Sequence, residues 1–216
     1  MFKFDIEKGT IDARGPIEDR FEGQSGFSPE DMLEAFDAFD GKDVTILLQS
    51  PGGVITDGLS IFGMFEAYAG KITVEVDSLA ASIASVIAMA ADEVVMRRKA
   101  KLFVHDPWTV AMGNATDFRS VADMLDVLAQ DIASVYAERT GGSVEEWLQF
   151  MREESWFDAD AAVQYGLADR IAGTQKKRPV YDSQEEQRPA AFLPAVAMAS
   201  SLDKRCRVMG QRYRPR

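Results

Sequence analysis

Apolar positions along the chain follow two rhythms, and the rhythms alternate. Residues 28 to 31, Ser-Pro-Glu-Asp, read as a helix start, with Ser28 as cap, proline in the first turn and Asp31 closing a capping box. Met32, Leu33, Phe36 and Phe39 follow at helical spacing. The run VTILL, 44 to 48, predicts a strand buried on both faces, and PGG at 51 to 53 ends it. A second helical pattern runs from about 55 to 69 and stops at Gly70. KITVEV, 71 to 76, alternates like a strand, and the alanine-rich stretch DSLAASIASVIAMAADEV that follows it is predicted as helix. Residues 93 to 96 and 102 to 104 are predicted as short strands. From Thr116 a long amphipathic helix carries Phe118, Val121, Leu125, Leu128, Ile132 and Val135 on one face, to Gly141-Gly142. Ser143 with Glu146 starts a short helix, Trp156-Phe157 is a strand fragment, and 159 to 165 is a last helix stopped by Gly166.

Strand and helix in alternation argue an α/β fold with mostly parallel strands. Beyond about residue 173 the rhythm is lost, among prolines and the runs QKKR and SQEEQR. The expected organisation is one domain over 1–173 and a basic, proline-containing, flexible tail over 174–216. Within that tail AAFLPAVAMA, 190 to 199, is an apolar segment suited to docking.

Charge sharpens the division. The chain of 216 residues has net charge −11, yet residues 171–216 hold ten basic and four acidic side chains, so the first 170 carry −17. An acidic body argues against a nucleic-acid surface on the domain. No apolar run approaches the roughly 18 to 20 residues that span a bilayer, and the N-terminal residues lack a signal-peptide core. One cysteine, Cys206, permits no intrachain disulfide and fits a reducing, cytoplasmic setting.

Three features carry candidate chemistry. Gly52-Gly53 directly follow a buried strand, where glycines let backbone N–H groups approach a ligand closely; taken alone they are more simply an ordinary turn. Ser78, Ser82 and Ser85 lie where a strand runs into a helix, and N–H groups at such an end stabilise an oxyanion. Spacing alone leaves the three serines equal, as caps, fillers or nucleophile. His105 is the chain's only histidine and sits at a strand end before Asp106-Pro107. Any serine nucleophile with an imidazole base therefore uses His105. No second histidine or thiolate cluster supports a metal site.

The segments SPGGVITDGLSIF, DSLAASIASVIAMAADEV, KLFVHDPW and WFDADAAVQYGLADRI, in this order, resemble the Clp protease proteolytic subunit family, especially its phage-encoded head maturation branch. The resemblance spans about residues 8 to 172. It implies a ClpP/crotonase-like β-α superhelix with a protruding handle helix, here 116 to 140. It implies Ser82 as nucleophile, His105 as general base, and the N–H groups of Gly53 and Ile83 as the oxyanion hole. It further implies a serine endopeptidase without cofactor, stacked heptameric rings, and capsid or scaffold proteins as substrates. A ring fed by an ATP-driven unfoldase is the alternative; GxxxxGK[ST] does not occur, so any such ATPase is a separate chain. If the chain is phage-encoded, its compartment is the host cytoplasm. The family's catalytic aspartate position falls at Ser155, which leaves the third triad member unknown; Glu154, Asp158 or a main-chain carbonyl are candidates to orient His105. Two further readings are a catalytically weak assembly component and, by fold analogy, a crotonase-type acyl-CoA enzyme.

Overall fold

The structure, a computed structural model, describes residues 2–18 and 26–173. The tail expected over 174–216 lies outside the described residues. Two strands precede the first helix, where the pattern predicts no element: β1 (Phe2–Asp5) and β2 (Thr10–Arg14), paired antiparallel. They are short, and only Ile11 and Ala13 of β2 are fully buried, so they leave almost no periodic trace. Helix α1 (Pro29–Phe39) begins as its sequence dictates. The Asp31 N–H donates to Ser28 Oγ and the Ser28 N–H donates to the Asp31 carboxylate, so two orphan donors are satisfied reciprocally.

Strand β3 (Val44–Ser50) follows and departs from double-faced burial. Val44, Ile46, Leu48 and Ser50 are buried, whereas Thr45, Leu47 and Gln49 are half-buried, so only one face is fully covered. After it come α2 (Ile55–Ala67), β4 (Ile72–Ala81), α3 (Ile83–Met89), β5 (Glu93–Met96) and β6 (Lys101–Val104). The chain continues through α4 (Ala115–Thr140), α5 (Val144–Arg152), β7 (Ser155–Asp158), α6 (Ala159–Gln164) and β8 (Arg170–Ile171).

The sheet runs β1-β2-β3-β4-β5-β8, parallel from β2 onward. Strand β4 organises it. Its first half pairs with β5, Thr73 to Val76 against Glu93 to Met96, and its last residues pair with β6, Leu79 to Ala81 against Lys101 to Phe103. One strand thus passes from one set of neighbours to another, and β7 joins beyond β6 in antiparallel register. This corrects the sequence expectation of helix after Asp77: Ser78 to Ala81 are strand, and α3 holds only seven residues. Alanine favours helix locally, but pairing with β3 and β6 satisfies these backbone groups.

Helix α4 is long, and full burial is confined to its C-terminal part. Ile132, Ala133, Tyr136, Ala137 and Thr140 are buried, Val121, Leu125 and Leu128 of the predicted face are half-buried, and Phe118, Met124 and Val127 are exposed. At the buried end, Arg139 ties the helix to the flanks of β5 and β8, donating to the Ala91 carbonyl at 2.8 Å and to the Asp169 carboxylate at 2.6 Å. Among the described residues no helix is long and apolar enough to cross a membrane.

Candidate active site

The C-terminal ends of β3, β4 and β6 lie side by side, and the candidate residues follow these ends. Ser82 is the single residue between β4 and α3. Its backbone sits at φ 55°, ψ −135°, a conformation that costs a non-glycine residue about 1–3 kcal/mol and persists only where its surroundings impose it. They do so from both sides. The Ser82 N–H donates to the Phe103 carbonyl at 2.9 Å, and the Ser82 carbonyl accepts from the Ser85 N–H at 2.9 Å and from Ser85 Oγ at 2.6 Å. The sharp turn lifts the hydroxyl out of both elements: Ser82 is half-buried and its side chain does not cap α3. Ile83 is the first residue of α3, so its N–H has no acceptor within the helix.

The chain beyond β3 passes between two neighbours. On one side, the Ile17 N–H donates to the Gly52 carbonyl at 3.0 Å and the Val54 N–H donates to the Ile17 carbonyl at 2.8 Å. Bonds to both flanking residues turn the N–H of Gly53 itself away from Ile17, toward the side on which β4 and Ser82 lie. A Cβ on Gly53 would stand 2.0 Å from the Ile17 carbonyl oxygen, so only glycine fits. Gly52, at φ 90°, is pressed against the turn at Ser82: a Cβ there would meet the Ser82 Cβ at 2.6 Å.

His105 leaves the end of β6. Its ring stacks on Phe103, centroids 5.3 Å apart, and Phe103 stacks in turn on Trp156 of β7 at 4.4 Å. His105 Nδ1 lies 2.6 Å from the carbonyl oxygen of Asp106. A carbonyl only accepts, so Nδ1 carries a proton, and the neutral ring so held has its lone pair on Nε2. Ser82 Oγ and the His105 ring are not hydrogen-bonded to each other; catalytic pairs commonly tighten only when substrate is present.

The three side chains considered as orienters are placed differently. Ser155 pairs with Val104 and is buried on that face of the β6–β7 ribbon, opposite the face that carries Phe103, Trp156 and His105. Asp158 sits at the far end of β7, where its carboxylate accepts from the Ala161 N–H at 2.9 Å as the cap of α6. Glu154 is the residue next beyond the Val104–Ser155 pair, beside His105 in sequence register, and it is exposed. The group hydrogen-bonded to the ring is the main-chain carbonyl of Asp106.

Two features were not legible in the sequence. Asp106 Oδ1 is buried with no hydrogen-bond partner among the described residues, and burial raises the Asp106 carboxyl above the ordinary aspartate range, against the opposing pull of Arg152 and His105. Ser85, one of the three serines that spacing leaves equal, is fully buried and hydrogen-bonded on several sides, including Tyr136 of α4 at 2.7 Å. Ser78 is exposed in β4 and takes no part in these hydrogen bonds. No periodicity marks either Ser85 or Asp106, because their surroundings are supplied by distant elements.

A family model described as Clp protease matches residues 30–175. Among solved structures the fold is similar to that of a point mutant of ClpP1 from Listeria monocytogenes, with a TM-score of 0.69 and 20% sequence identity, over 79% of this chain and 94% of that one. At that identity the structural likeness speaks for the fold.

Proposed function

Since the chain belongs to the Clp protease family, we propose that it is a serine endopeptidase with Ser82 as nucleophile, His105 as base, and the N–H groups of Gly53 and Ile83 as oxyanion hole. The observation that carries this reading is the strained turn at Ser82, held between the end of β6, which leads to His105, and the glycines after β3. Ser82 Oγ attacks the scissile carbonyl while its proton passes to His105 Nε2. The tetrahedral oxyanion is held by the two backbone N–H groups. Collapse breaks the C–N bond, the imidazolium gives its proton to the leaving amine, and water then releases the acyl group by the same steps.

The Asp106 carbonyl supports this by fixing the tautomer of His105. A carbonyl dipole stabilises an imidazolium less than a carboxylate does, so this arrangement fits a modest protease. Labelling by a serine-directed fluorophosphonate tests the assignment. Modification of Ser82 in wild type, and none in Ser82→Ala, is expected. An unlabelled wild type favours the second reading, a catalytically weak assembly component, which rests on the buried Ser155 lying opposite the histidine face.

The exposed apolar residues Phe118, Met124 and Val127 on the uncovered half of α4 support assembly into rings stacked through this handle. Native mass spectrometry of the intact chain reads the ring number. Capsid or scaffold proteins as substrates rest on the sequence resemblance to head maturation proteases. The alternative, a ring that receives chains from a separate ATP-dependent unfoldase, predicts that folded proteins are spared unless that partner and ATP are added.

A further inference from the structure

We infer that Tyr136 and Ser85 form a buried hydroxyl relay that positions and polarises the Ser82–Ile83 peptide, and so sets the strength of the oxyanion hole; this rests on the reading of Ile83 N–H as an oxyanion donor.

Proton counting fixes the direction of the relay. Ser85 Oγ lies 2.7 Å from Tyr136 Oη and 2.6 Å from the Ser82 carbonyl oxygen. The Phe103 carbonyl, at 3.3 Å, is a longer alternative. A serine hydroxyl has one proton, and a carbonyl has none. The short contact to Ser82 O therefore takes the Ser85 proton, and Tyr136 donates to Ser85 Oγ. Tyr136 is 1% exposed and Ser85 fully buried, and burial keeps the phenol protonated. The order is Tyr136 O–H to Ser85 O–H to Ser82 C=O.

That carbonyl also accepts the Ser85 N–H at 2.9 Å, so it receives two bonds. Both draw electron density toward oxygen in the peptide group whose nitrogen is Ile83 N. Chained hydrogen bonds in a low-dielectric interior strengthen one another, and the N–H at the far end of the same peptide becomes the better donor. The two bonds also lock the plane of the peptide, and hence the aim of its N–H. An ordinary filler at position 85 would supply the backbone bond alone. Tyr136 is kept in place by its ring contact with Trp147, centroids 5.0 Å apart, which does not depend on the hydroxyl. Ser85 and Tyr136 are therefore positioning residues that act through Ile83.

The test compares Tyr136→Phe, Ser85→Ala and the double variant with wild type. Three quantities are read on the full chain: kcat and KM on a fluorogenic peptide, affinity for a peptide boronate whose tetrahedral adduct places oxygen in the hole, and fluorophosphonate labelling of Ser82. Each single variant is expected to lose about three- to twentyfold in kcat, a fraction of the loss from deleting a whole oxyanion donor, with KM unchanged. Boronate affinity falls by a similar factor. The double variant falls no further than Ser85→Ala, because Tyr136 acts through Ser85. A purely structural role would lower Tm or raise KM without matching losses in kcat and boronate affinity, and would overturn the relay. Wild-type kcat in Tyr136→Phe overturns it too, and this variant decides the matter even where Ser85→Ala does not fold. Labelled, active wild type beside unaffected variants defeats the relay alone; wild type unlabelled at Ser82 defeats the site assignment and the relay together.

Discussion

His105 is held by its own neighbour: its Nδ1 donates to the main-chain carbonyl of Asp106 at 2.6 Å, while Ser155 faces the other side of the β6–β7 ribbon. The consequence is testable side chain by side chain. Ser155→Ala is expected to keep kcat/KM within about threefold, because no orienting bond to the imidazole is lost. Glu154→Gln, at the exposed carboxylate just before β7, is expected to cost less than about tenfold, as its charge is screened by solvent. His105→Ala removes the proposed base and is expected to cost at least about a thousandfold. Steady-state peptide hydrolysis measures all three.

The glycine against the Ser82 turn gives a second outcome. Gly52 has φ 90°, and a Cβ there would lie 2.6 Å from the Ser82 Cβ and 3.2 Å from its Oγ. Gly52→Ala is expected to destabilise the fold by about 1–2 kcal/mol through backbone strain. Its effect on hydrolysis is expected to be far larger, at least about a hundredfold, since the shift falls on Ser82 Oγ, the proposed nucleophile. Chemical denaturation beside activity separates the two; equal losses in both would contradict this geometry.

Glu93 links stability to pH. Its carboxylate accepts from Arg170 at 2.8 Å and Lys71 at 2.9 Å, and these bonds lower its pKa to about 2. A depressed acid stabilises the folded state above its unfolded pKa, near 4.5, and the gain is lost as pH falls through 4.5 toward 2. Glu93→Gln is therefore expected to cost about 1–3 kcal/mol at pH 7. The difference from wild type should shrink in acid, read from urea unfolding at pH 7 and pH 3.

Asp106 has the opposite sign. Burial raises its carboxyl above 3.8, so its contribution is most favourable below the unfolded pKa and is lost as pH rises through the folded value. Asp106→Asn keeps the main-chain carbonyl that holds His105 and removes the buried charge. Its Tm is expected to exceed that of wild type at pH 7, with the advantage diminishing as pH approaches 4. A constant difference across that range would mean the carboxyl is not the cause.

Much of the fold lay in local signals. The capping box at Ser28 and Asp31, the apolar run from Val44, the long pattern after Thr116 and the glycines at 52 and 53 each act within a few residues, so sequence alone placed these elements. The candidate site was legible only in part. His105 stood out as the single histidine at a strand end, but three serines stayed equal until family resemblance chose one. Tertiary structure decided what depends on partners far along the chain. It drew Ser78 to Ala81 into β4, because β3 and β6 supply their hydrogen bonds, and it placed β1 and β2 where the sequence showed no rhythm. It turned Ser155 away from the imidazole through strand alternation, and it made Ser85 a junction by bringing Tyr136 from 51 positions away. The sequence determined which residues could do chemistry and where helices start. Register and burial decided which of them meet, because both are settled between segments and neither is written in any one of them.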